Sequence, residues 1–178
     1  QKFLVIIWPA CRMEMPPVCP AKLCLPMKTI PNNLFFAGVE AEIAAGRPVR
    51  FRLKGNSMFP LLRNERDEVL LCPCEAKDLK PMDVVLFRYR GSHVLHRILR
   101  REGDNLLIQG DGVYASFERC QVADVVGIVR EVYRPSGKVL SVDSWKWTLP
   151  SRLWRGTGVF RSYLIRFCYK IKVVEGVR

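Results

Sequence analysis

Three side chains in this sequence are of the types that acyl-transfer chemistry needs, two of them near glycines and one inside an alternating run. In "KGNSMFPLL", Lys54 to Leu62, an alternating segment runs into a glycine, and Ser57 follows between asparagine and methionine with Pro60 three residues on. Such a stretch is either a tight turn that needs small residues or a turn that presents the Ser57 hydroxyl. His96, one of two histidines, lies in "VLHRIL". A period of two puts Val94, His96 and Ile98 on one strand face and Leu95, Arg97 and Leu99 on the other. Apolar neighbours shelter the ring from water and disfavour its charged form, which suits a general base; a core histidine bonded to backbone would show the same pattern. Asp111 stands between two glycines in "QGDGV", directly after a strand-like run. Flanking glycines let the backbone bend so that a carboxylate can approach another group closely. There it would accept from His96 Nδ1 and fix the tautomer whose Nε2 takes a serine proton, or else act as a turn aspartate bonded to its own backbone. His93, beside Gly91 and Ser92, reads as a solvated turn residue.

The elements that must position these groups are mostly short strands. Residues 33–45 place Phe35, Phe36, Val39 and Ile43 on one stripe, with Asn33 as cap and Gly46 as stop, which predicts an amphipathic helix. After Pro48 the period becomes two, Val49, Phe51 and Leu53 alternating with Arg50, Arg52 and Lys54. Strand-like runs follow at 68–72, 83–89, 93–100, 105–110, 124–133 and 138–143, separated by turn signals such as Arg90-Gly91-Ser92 and Pro135-Ser136-Gly137. These spacings leave no room for βαβ crossovers, so the pattern predicts a mainly β domain: a small barrel, half-barrel or sandwich. From Val159 the period turns helical, with Phe160, Tyr163, Leu164, Phe167, Cys168 and Ile171 on one stripe and Arg161, Arg166, Lys170 and Lys172 between them.

With 178 residues the chain can bury a core without metal or disulfide staples. We read 27–143 as one domain and 144–178 as a basic, aromatic helical tail; 1–26, with five prolines and three cysteines, reads as a disordered or spurious extension, or else a degraded signal peptide. The formal charge of +12 is unevenly placed: 18 basic and 14 acidic residues fall in 27–142, against eight and two in 143–178. The tail therefore either lies on an anionic membrane surface or docks on the β domain with its basic face in water. Nucleic acid is disfavoured as a partner. Seven cysteines without a CxxC pair, and two histidines, fit free thiols in a reducing compartment rather than a zinc site, so no metal or other cofactor is expected. Together with the lack of a long apolar run, this predicts a cytoplasmic protein or one peripheral at a membrane.

Taken together, "GNSMFPLL", "LKPMDVVLFRYRGSHVLHRIL" and "LLIQGDG" resemble the three successive boxes of the signal-peptidase and LexA-like serine peptidases, over roughly residues 47–133. The first box of that family holds the nucleophile, the second the base and the third a Gly-Asp element. Its bacterial signal peptidases and self-cleaving repressors use a lysine base, and "LHRI" resembles instead the histidine branch of the endoplasmic-reticulum type. The resemblance implies a signal-peptidase-like β-barrel or half-barrel and a serine endopeptidase that processes a precursor protein or peptide. Ser57 would be nucleophile, His96 base and Asp111 the family's aspartate. The Ser57 N–H would serve the oxyanion, and Gly55, Asn56, Met58 and Pro60 would shape a groove in which the substrate adds as a strand. Two departures stand out: Met82-Asp83 replaces the family's Gly-Asp before the second-box strand, and Gly110-Asp111-Gly112 replaces Gly-Asp-Asn. A different class, a non-catalytic adaptor with a basic tail for anionic membrane or nucleic acid, fits the same scaffold.

Overall fold

The computed structural model describes residues 2–3 and 30–175, so the reading of 1–26 as an extension lies, Lys2 and Phe3 apart, outside the described residues. Those two form β1 (Lys2–Phe3), which pairs with β2 (Ile30–Pro31). Helix α1 (Asn32–Ala44) begins one residue before the expected cap and turns Phe35, Val39 and Ile43 inward. Gly46 ends it at φ +76°, a conformation that costs glycine nothing.

The remaining strands are β3 (Val49–Arg52), β4 (Glu68–Cys72), β5 (Val84–Tyr89), β6 (Ser92–Glu102), β7 (Asn105–Gln109), β8 (Glu118–Gln121), β9 (Val125–Tyr133) and β10 (Val139–Ser141). They make one eight-stranded sheet in the order β3-β4-β9-β5-β6-β7-β8, with β10 added on β9. Every pairing is antiparallel. The sheet is not closed: β3 and β8 are the ends of the hydrogen-bonded path. The expected mainly β fold is present in this coarse form, but β8 carries no clear alternation and was not foreseen.

Alternation along β5 divides the core in two. Val84 and Leu86 join Phe35, Val39, Phe51, Leu71 and Val132 under α1, while Val85 and Phe87 join Ile98, Leu106, Ile108 and Ile128 on the other face. Each such side chain taken fully out of water contributes about 1.5–3 kcal/mol, and both faces of the central strands are used. Strand β6, buried on both sides in its middle, can therefore carry one group into each face.

After the sheet come α2 (Trp145–Gly156), capped by Ser144 Oγ accepting from Lys146 N at 3.3 Å, and α3 (Arg161–Glu175). The tail is thus two helices. Trp147 belongs to the same core cluster as Phe35 and Val132, so α2 is packed into the domain. Helix α3 buries Arg161 and Ile165 and turns Tyr163, Leu164 and Phe167 outward, as Phe160 is just before it, which corrects the reading in which that apolar stripe docks and the basic face meets water. Among the described residues no helix is long and apolar enough to cross a membrane.

Candidate active site

The turn that carries Ser57 is fixed from both ends. Leu53 N still donates to Asp67 O at 3.0 Å beside β4, and Gly55, at φ +108°, donates its N–H to Asn64 Oδ1 at 2.7 Å. A side chain at that φ would be strained, so glycine is what lets the chain leave the strand there. Past the turn, Met58, Phe59 and Leu62 are buried, and Phe59 N donates to Asn56 O at 3.1 Å. Ser57 is left half-buried between exposed Asn56 and buried Met58.

His96 arrives from β6, opposite Val85 of β5, and is only 4 % exposed. Its Nδ1 lies 3.1 Å from Glu118 Oε2. Its Nε2 is buried and has no hydrogen-bond partner among the described residues. A buried imidazole nitrogen with nothing to bond costs stability, and a catalytic role is one of the reasons such an atom is kept. What that nitrogen faces is Gly110: a Cβ built there would stand 2.8 Å from Nε2 and would overlap the Ser57 carbonyl oxygen. The Ser57 turn and the His96 ring thus approach each other across a glycine, and the contact is held by Gly112 N donating to Ser57 O at 2.8 Å. Ser57 and His96 also border one cavity of about 250 Å³, lined by Phe35, Phe36, Phe51, Leu53, Gly55 and Met58 among others. Asn56 and Pro60 do not line it; they shape the turn, and Pro60 follows a cis peptide bond. No hydrogen bond joins Ser57 to His96 in the free chain.

Asp111 does not orient His96, and this corrects the expected pairing. Its carboxylate accepts from Arg97, Nε to Oδ1 at 3.0 Å and Nη2 to Oδ2 at 2.7 Å, and both side chains are fully buried. Parity explains it. Arg97 pairs with Gln109 across β6 and β7, and Asp111, two residues beyond Gln109, keeps to the Arg97 side, whereas Gly110 points to the His96 side. Further bonds close that side: Arg97 Nη1 donates to Met82 O at 2.7 Å, and Trp154 Nε1 donates to Asp111 O at 2.9 Å.

The orienting carboxylate is Glu118, at the start of β8. Ile98 pairs with Ile108 and Ile108 with Glu118, so Glu118 shares a sheet face with Ile98 and hence with His96. Sequence offered little sign of it, because "FERC" neither alternates nor resembles a motif. Burial holds the His96 pKa below the ordinary 6.5, while the charges of Glu118 and Asp111 pull it back up. The ring is therefore neutral at neutral pH, and with Glu118 accepting from Nδ1–H the lone pair lies on Nε2. Among the described residues the Ser57 N–H has no backbone acceptor.

Of the two departures from the resembled boxes, the one at 112 has a local cause, and nothing in the structure explains the methionine at 82. Met82 sits at φ +84°, where glycine would be unstrained. At position 112 a Cβ would meet Asn56 O at 2.6 Å and Phe59 O at 2.9 Å, so no asparagine fits against this turn.

The other candidates resolve as structure. His93 is on β6 rather than in a solvated turn, stacked on Phe36 at 4.6 Å with Nε2 2.6 Å from Glu40. Cys72, Cys74, Cys120 and Cys168 are free thiols, and burial pushes Cys120 up to about 12. No group of three or more metal-ligating side chains occurs among the described residues. Compared with family models, curated proteins and solved structures, the chain matches none.

Proposed function

We propose that the chain is a serine endopeptidase of the signal-peptidase-like kind, its open sheet a half-barrel version of that scaffold, with Ser57 as nucleophile and His96 as general base. One observation carries the reading: a buried, neutral imidazole whose Nδ1 is held by Glu118 and whose Nε2 has no protein partner, facing the Ser57 turn across Gly110. In the reaction Ser57 Oγ attacks the scissile carbonyl carbon while Nε2 accepts its proton. Glu118 faces the imidazolium that forms and stabilises it, and the Ser57 N–H donates to the oxyanion. Collapse of the tetrahedral intermediate passes the proton from Nε2 to the leaving amine, and water then releases the acyl group by the same route. An extended precursor peptide seats one side chain in the apolar cavity beside the serine.

Cleavage of extended peptides, with residues before the scissile bond ranging from alanine to leucine, tests the proposal. Ser57→Ala and His96→Ala should each remove cleavage while circular dichroism shows a folded chain. Retained turnover in either folded variant rules the mechanism out. A second reading, a non-catalytic binding protein on this scaffold, draws on the missing Ser57–His96 bond, although such bonds are often long before substrate arrives. It predicts no hydrolysis by the unaltered chain and peptide binding that survives Ser57→Ala.

A further inference from the structure

Helices α2 and α3 share a feature that a merely docked tail would lack. On α2 the buried residues are Trp147 and Ser151, and the opposite side carries Trp145, Leu149 and Leu153 at spacing i, i+4, i+8, exposed by 68 %, 50 % and 65 %. On α3 the buried residues are Arg161 and Ile165, and the far side carries Tyr163, Leu164 and Phe167, with Phe160 exposed in the turn just before the helix; Phe160 and Tyr163 are each 69 % exposed and Phe167 is 62 % exposed. Single exposed hydrophobes are ordinary on a protein surface; two continuous stripes of large ones are not. Basic side chains edge both: Lys146 and Arg152 beside the first, Arg166 and Lys170 beside the second, all exposed. Opposing charge is scarce, since 143–178 holds two acidic residues against eight basic ones.

We infer that α2 and α3 form a docking surface for an anionic lipid bilayer. Apolar stripes flanked by lysine and arginine suit the boundary between acyl chains and headgroups, and an indole such as Trp145 is at home there. The positive edges meet anionic phospholipids, which a second copy of this equally basic chain would not supply. Neither helix needs to span the membrane. The inward faces hold the surface rigidly to the domain: Arg161 Nη2 donates to Gln109 Oε1 at 2.6 Å and to Val113 O at 2.9 Å, and Arg155 Nη1 donates to the same Gln109 Oε1 at 2.9 Å. This inference does not depend on Ser57 being a nucleophile. Should the peptidase reading hold as well, docking brings the Gly110–Gly112 loop, and with it the site, to the bilayer.

Co-sedimentation of the full chain with phosphatidylcholine vesicles, with and without about 30 % phosphatidylglycerol, is the test. Binding should appear with the anionic vesicles, fall steeply with added salt, and weaken about fivefold for each of Lys146→Ala and Arg152→Ala. Leu153→Ser with Phe167→Ser, at exposed positions that leave the core intact, should lower partitioning by more than about tenfold. As an independent readout, lipids brominated in the acyl chain should quench tryptophan emission, and Trp145→Phe should remove most of that quenching. No binding to anionic vesicles, or binding indifferent to the Leu153 and Phe167 changes, overturns the inference. So does a concentration-dependent dimer that the same two changes dissociate while vesicles remain unbound, which would assign the face to a second copy.

Discussion

His96 and Arg97 are neighbours on one strand, both buried, and their surroundings differ in kind. Arg97 is surrounded by acceptors: the Asp111 carboxylate, the Met82 carbonyl and, at 3.5 Å, Ser151 Oγ. Its charge is matched by one carboxylate in a pocket with no water-accessible surface. His96 keeps one nitrogen bonded and the other bare. A charged pair sealed from water is a structural commitment, whereas a neutral base with an unused lone pair beside a cavity is a reactive arrangement. Burial alone therefore does not separate framework from chemistry. Here the two differ in that each Arg97 nitrogen has an acceptor, whereas His96 Nε2 has no partner among the described residues.

The sharpest way to break this contrast is to remove Asp111. Asp111→Ala leaves the Arg97 guanidinium buried without its carboxylate and should lower unfolding free energy by about 3–5 kcal/mol, read by denaturant titration. If the variant stays as stable as the parent and loses only turnover, Asp111 belongs to the His96 side and the division is wrong. Glu118→Gln should do the reverse, with fold retained and peptide cleavage reduced on the order of 100-fold. Because the Glu118 charge is among the influences that raise the His96 pKa, the acid limb of the pH–rate profile should also move to lower pH in this variant. A merely structural Glu118 would leave that limb in place.

Smaller effects refine the same picture. Met82 at φ +84° carries its carbonyl to Arg97, so Met82→Gly should relieve backbone strain and raise stability by up to about 1 kcal/mol; a loss would mean that the methionine side chain outweighs the strain. The last prediction concerns pH. The buried ring has a lowered pKa, so just below pH 6.5 the unfolded chain takes up a proton that the folded one still refuses. Stability from this group is whole above 6.5 and declines as pH falls toward the folded value. In urea titrations across that range, His96→Gln should flatten the decline, and an unchanged slope would show that the ring is not shielded as described.

Part of the candidate site was legible in the sequence. Ser57 and His96 stood out because a glycine turn and a two-residue period are local signals, and local signals survive in one dimension. Glu118 did not, since it lies 22 residues from His96 in sequence and meets it only through two strand registers. Asp111 was misassigned for a related reason: its flanking glycines announced a close approach but could not say to which face. For the tail the helical period was legible, but the sequence left open which side of α3 faces the domain, and the structure turns most of the apolar stripe outward.

The sequence by itself determined the alternation that makes the strands, the glycines that end α1 and open the Ser57 turn, and the basic excess after residue 143. Those depend on φ, on side-chain period and on charge, which each residue carries with it wherever it is placed. Only the tertiary structure decided which carboxylate meets His96, which meets Arg97, and which stripe of α3 faces out. Such choices arise from strand register and from packing between distant segments, where moving a pairing by one residue sends every side chain to the opposite face.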